Sequence, residues 1–110
     1  MVYYTFSEHD WKQFRAKLPG WQATYMDRLN REYIEILNSD NRPSEKFWEL
    51  EKRLRTDKHS IGVQAEMRRS KMETNIISLL NCGAITLDDL DGFSDEFQER
   101  MKYLYSSREN

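Results

Sequence analysis

The chain has one cysteine, Cys82, so it cannot close a disulfide within itself, and a reducing compartment is expected. It has no apolar run near the roughly eighteen residues that a membrane-spanning helix needs. The strongest run, Ile76–Leu80, is already broken by Ser78. Met1–Phe6 is apolar but lacks the basic leader and the length of a signal peptide, so the sequence reads as cytoplasmic. No sustained alternation of period two appears, which argues against a sheet. Internal repeats, low-complexity tracts and dividing linkers are missing too, so residues 1–110 read as a single domain. A phosphate loop, a dinucleotide fingerprint, an HExxH pair and a nucleophile elbow are all missing. An enzyme is therefore not the class the sequence predicts.

What the chain does have is helical stripes. Trp21, Tyr25, Leu29, Tyr33 and Ile36 recur at spacings of four and three, as do Phe47, Leu50 and Leu54. Met72, Ile76, Leu79 and Leu80 form a third set, and Phe97, Met101 and Leu104 a fourth. At about 3.6 residues per turn each set falls on one side of a helix. The expected fold is all-α: a compact bundle of about five helices with an extended N-terminal arm.

Local signals set the expected boundaries. Residues 1–6 form the arm, and Ser7 caps a short first helix with Glu8 and Asp10 in its first turn. Pro19 and Gly20 end that helix, and a second runs from Trp21 to Leu37 before the turn formers Asn38–Asn41. Pro43 opens a third helix reaching Asp57, and a fourth spans Val63–Asn81 with Gly83 as its left-handed cap. Thr86 and Asp89 resemble a capping box with Asp in place of Glu. Ser94 caps a last helix to about Tyr105, and residues 106–110 are expected to fray.

The fourth segment is apolar on two sides, with Val63, Met67 and Ile77 on the less populated one. Those three residues form the expected interface of a homodimer. Aromatics make up 13% of the chain, more than a small interior houses easily, so an exposed apolar patch is expected as well.

Charge is segregated. Residues 42–72 carry nine Lys/Arg against five Asp/Glu, and residues 73–110 carry three against eight. Arg53, Arg55, Lys58, Arg68 and Lys71, with His59 and Arg69 beside them, make a basic cluster that would suit an anionic partner. Helix, short turn with glycine, helix is also the outline of a DNA-reading motif. Against that reading, the whole chain has a net charge of −2, so its phosphate-neutralising field is weak. Pairing with the acidic C-terminal region explains the cluster more simply.

Other constellations carry less. His9 with Glu8 and Asp10 lacks the spacing of a metal site, because adjacent helical residues diverge. Aligning Gly92 with the glycine of a calcium loop puts Leu87 and Gln98 where two ligands belong. Cys82 has only His59 as a candidate base. No metal or cofactor is expected.

The stretch Pro43–Arg53, Gly62-Val63-Gln64, Asn75–Leu80, Asp89-Leu90 and Phe93-Ser94-Asp95 resembles a family of short helical proteins from Gram-positive bacteria. Trp21 and Leu29–Tyr33 extend the resemblance, which covers roughly residues 11–105. It implies a bacterial cytoplasmic origin and an all-helical fold. Some members carry a multidrug-transporter label, which the lack of any spanning segment argues against. No catalytic or ligand-binding residue comes with the resemblance. The expected function is a non-catalytic interaction or regulatory protein that self-associates, with a small nucleic-acid-associated regulator as the alternative.

Overall fold

The computed structural model describes residues 7–108, so the expected arm at 1–6 lies outside the described residues. Among the described residues the chain is all-helical, with four α-helices and no strand. These are α1 (Glu8–Leu37), α2 (Pro43–Asp57), α3 (Met72–Asn81) and α4 (Asp95–Arg108). Two short 3-10 turns, Arg69–Lys71 and Leu87–Leu90, precede α3 and α4.

The first correction is at Pro19, which lies inside α1 instead of ending a helix. An interior proline removes one backbone bond and costs about 3 kcal/mol. The reason the helix survives is phase. Trp11, Phe14, Leu18, Trp21, Tyr25 and Leu29 keep spacings of three and four straight through the proline. Breaking the helix would turn one half of that stripe off the core, and each large apolar side chain buried contributes about 1.5–3 kcal/mol. Four of the six are buried, so burial outweighs the proline.

The second correction is the segment expected to start the fourth helix. Only Met72–Asn81 is α-helical. Residues 63–68 are not helical; Ile61, Val63 and Ala65 are half-buried while Gln64 and Glu66 are exposed. That is the alternation of an extended segment, with Ile61 and Ala65 packed against the core. Gly62 is buried against Tyr25, and a Cβ there would fall inside the Tyr25 ring's contact distance. The Asn75 side chain donates to the Glu66 carbonyl at 2.8 Å, satisfying a backbone group that a helix would have used. The count among the described residues is thus four helices and not five, because the expected boundary at Pro19 is missing and the first two expected helices are one.

These elements form a head and an arm of helices. The head contains the first half of α1, α3, the second 3-10 turn and α4 around Phe14, Met72, Ile76, Leu79, Phe97 and Met101, all fully buried. A chain of rings runs through it, from Trp11 to Phe14, Trp21, Phe93 and Phe97, with centroids 5.2–6.4 Å apart. The rest of α1 leaves the head and pairs with α2 as an antiparallel hairpin. The molecule measures 56 × 31 × 23 Å, with a radius of gyration of 16.9 Å. A compact chain of this length has about 13 Å. The compact bundle is the head, and the hairpin extends from it.

The expected caps are present. The Ser7 hydroxyl accepts from the Asp10 amide at 3.2 Å. Gly83 is left-handed at φ +77°, and Ala84 N–H donates back to the Leu79 carbonyl at 2.9 Å. The Asp89 carboxylate accepts from Thr86 N–H at 2.7 Å. α4 continues to Arg108, three residues beyond the expected end.

Candidate interaction surface

α2 packs on α1 in an unexpected orientation. Its polar contacts with α1 come from Lys46, Arg53 and Asp57. Lys46 Nζ donates to the Leu37 carbonyl at 3.0 Å, at the end of α1. Arg53 donates to Glu32 at 2.7 Å and lies 3.5 Å from Asp57. Tyr33 donates its hydroxyl to Asp57 at 2.6 Å, and the Arg53 guanidinium lies 5.6 Å from the Tyr33 ring centroid. Burial, reinforced by the bond to the Asp57 carboxylate, pushes the Tyr33 phenol up to about 12.

Lys46, Arg53 and Asp57 share one stripe of α2, with Leu50 between them. Phe47, Leu54 and Lys58 lie about a quarter turn further round the helix, at roughly 100° per residue. The hairpin therefore closes on a polar stripe and turns the apolar one aside. No residue of α2 is buried. Phe47 and Trp48 are each 63% exposed and stand edge-on to one another with centroids 5.0 Å apart. An open groove along α2 is lined by Phe47, Leu50, Glu51, Leu54, Arg55 and Lys58. Leu54 and Lys58 also line a second groove, between α1 and α2, to which Met26, Leu29 and Val63 contribute apolar surface. On α1, Ile34 and Leu37 are exposed on the same side as Met26, by their helical spacing. Most of the exposed large apolar side chains among the described residues thus lie on the hairpin, and not beside the segment 63–81.

The residues expected to form an interface do not come together. Ile77 is buried in the head, Val63 is half-buried beside the second groove, and Met67 is exposed on the extended segment. The stripe Val63, Met67, Ile77 needed a continuous helix over 63–81. Without that helix the three residues share no face.

The basic cluster is divided between α2 and the region of the first 3-10 turn, and its arginines are occupied. Besides Arg53, Arg55 pairs with Glu51, and Arg68 with Glu66 at 2.7 Å. Arg69 grips Glu8 through two bonds, one of them 2.8 Å, and lies 5.3 Å from the Trp11 ring centroid. That pair holds the Glu8 carboxyl below its ordinary range and raises the guanidinium. These carboxylates come from residues 8–66, so the expected pairing with the acidic C-terminal region is corrected. There, Glu73 pairs with Arg100 at 2.9 Å, within the same segment. Among the described residues Lys58 and Lys71 form no salt bridge.

The remaining candidates have structural partners. Buried Asp10 accepts from Ser94 N–H and from Ser94 Oγ, both at 2.7 Å, and Ser94 Oγ accepts from Phe97 N–H at 3.2 Å. This relay from α1 caps α4, and the sequence offered only the local half of it. His9 Nε2 donates to the Gly92 carbonyl at 2.8 Å. The Cys82 thiol sits at the end of α3 and donates to the Leu79 carbonyl at 3.5 Å, while His59 lies in the connection after α2. Among the described residues no group of three His, Cys, Asp or Glu is placed to hold a metal ion, and no helix is long and apolar enough to cross a membrane.

Comparison with protein-family models, with curated proteins and with solved structures finds no match to this chain.

Proposed function

We propose that the protein is a non-catalytic interaction or regulatory protein that self-associates through its helical hairpin. One observation carries the reading: α2 rests on α1 by a polar stripe and leaves Phe47, Leu54 and neighbouring Trp48 to solvent. An amphipathic helix ordinarily turns its apolar side inward. Contiguous exposed apolar surface marks an interface more often than not. The elongated shape supports the same reading: the longest dimension is 56 Å and no residue of α2 is buried.

A small nucleic-acid-associated regulator is less well supported. Affinity for phosphates comes from cations that release counterions, and four arginines of the cluster already share carboxylates. The bacterial cytoplasmic setting implied by the family resemblance is compatible with either reading.

Sedimentation equilibrium over a wide concentration range tests the proposal. The expected mass rises toward twice 13.3 kDa as concentration increases. A single-chain mass at the highest soluble concentration would contradict it.

A further inference from the structure

We propose that two copies of this chain pair through α2, antiparallel about a two-fold axis near residues 52–53. This rests on the reading that the chain self-associates, and adds which helix pairs and in what register.

The groove-lining residues of α2 are self-complementary in that one direction. Of the groove's charged residues, Glu51 lies toward one end and Arg55 and Lys58 toward the other. Antiparallel pairing sets Glu51 of each helix against Arg55 of the other, and opposes the helix dipoles. Parallel pairing would stack like on like. With the axis at 52–53, Leu50 of one copy packs on Leu54 of the other. Phe47 meets the Lys58 stem, an apolar and cation–π contact, and Glu51 faces Arg55. All six groove residues find a partner in a two-fold related copy, as an isologous interface requires.

A second copy is the occupant that the charges of α2 select.

Charge reversal in a mixing experiment tests the register. Glu51→Arg leaves two arginines at 51 and 55, and Arg55→Glu leaves two glutamates. Each variant alone then opposes like charges across the axis, while a mixture opposes unlike ones. Both residues are solvent-accessible, and circular dichroism checks that the helices persist. The expected result is self-association weakened by about tenfold or more in each variant alone and recovered in the equimolar mixture. A second measurement needs no charge change. In a Cys82→Ser background, Leu50→Cys and Leu54→Cys proteins mixed under oxidant should cross-link to each other in preference to themselves. Undiminished self-association of each reversal variant, or a lack of preference for the mixed disulfide, would overturn the register while wild-type self-association stands. A wild type of single-chain mass would overturn self-association itself.

Discussion

Arg53 reaches across the hairpin to Glu32, Nη2 to Oε1 at 2.7 Å, and seats α2 on α1 by its polar edge. Asp57, one turn further along α2, takes the Tyr33 hydroxyl on the same edge. Because these groups meet, Phe47 and Leu54 are carried round to the side. The polar clasp and the exposed apolar stripe are two consequences of one helix rotation.

The clasp predicts a pH dependence. The folded phenol of Tyr33 is raised to about 12 from an ordinary value of 10.0. A group raised on folding contributes its full stability below the unfolded value and loses it as pH climbs through the folded one. Wild-type stability should therefore carry a component that fades between about pH 10 and pH 12, and Tyr33→Phe should lack it. Urea unfolding of both proteins across that window measures the difference. Identical slopes would mean the phenol is not held as described.

The Asp10–Ser94 relay predicts a large effect from a small change. Asp10→Ala removes the acceptor of two hydrogen bonds and leaves the Ser94 amide and hydroxyl short of partners in a half-buried site. Charge-assisted bonds contribute about 1.5–3 kcal/mol each, so the loss of two is expected to cost roughly 3–6 kcal/mol. Chemical denaturation of the variant measures it, and a loss no larger than that of a surface substitution would contradict the relay.

Gly62 makes a third case. With a Cβ driven into the Tyr25 ring, Gly62→Ala should cost about 1–3 kcal/mol by overpacking. Adding Tyr25→Ala should remove most of that penalty. A double-mutant cycle reads the coupling, and simple additivity would show that the ring is not the obstacle.

Short-range features were legible in the sequence. Ser7, the Thr86–Asp89 pair and Gly83 each act over a few residues, and each sits in its expected conformation. α2 has the bounds that Pro43 and the turn formers before it imply. The misses are tertiary. Pro19 breaks helices by local rule, yet the stripe on both sides of it shares one core. Residues 63–68 have helical apolar spacing, but Gly62 against Tyr25 and Asn75 bonded to Glu66 hold them extended. The three candidate interface residues share no face for the same reason. Val63, Met67 and Ile77 were joined only by a helix that does not form, and no local signal told which stripe of α2 would meet α1.

The phosphate-binding alternative also makes a checkable claim. With its arginines paired, the cluster should show no salt-sensitive binding to duplex DNA near physiological ionic strength. Fluorescence anisotropy with a labelled duplex tests this. Saturable binding that weakens steeply with salt and disappears in an Arg68→Glu, Lys71→Glu variant would favour the alternative.

The most direct test of the central claim compares two lysine substitutions by sedimentation equilibrium, with circular dichroism as a check on folding. Leu54→Lys puts a charge in the middle of the α2 groove, whereas Met67→Lys puts one on the exposed extended segment away from it. Both positions are exposed in the single chain, so both variants should fold. The account predicts that Leu54→Lys sediments as one chain while Met67→Lys self-associates like the wild type. A Leu54→Lys protein that stays folded and pairs as tightly as the wild type would contradict it.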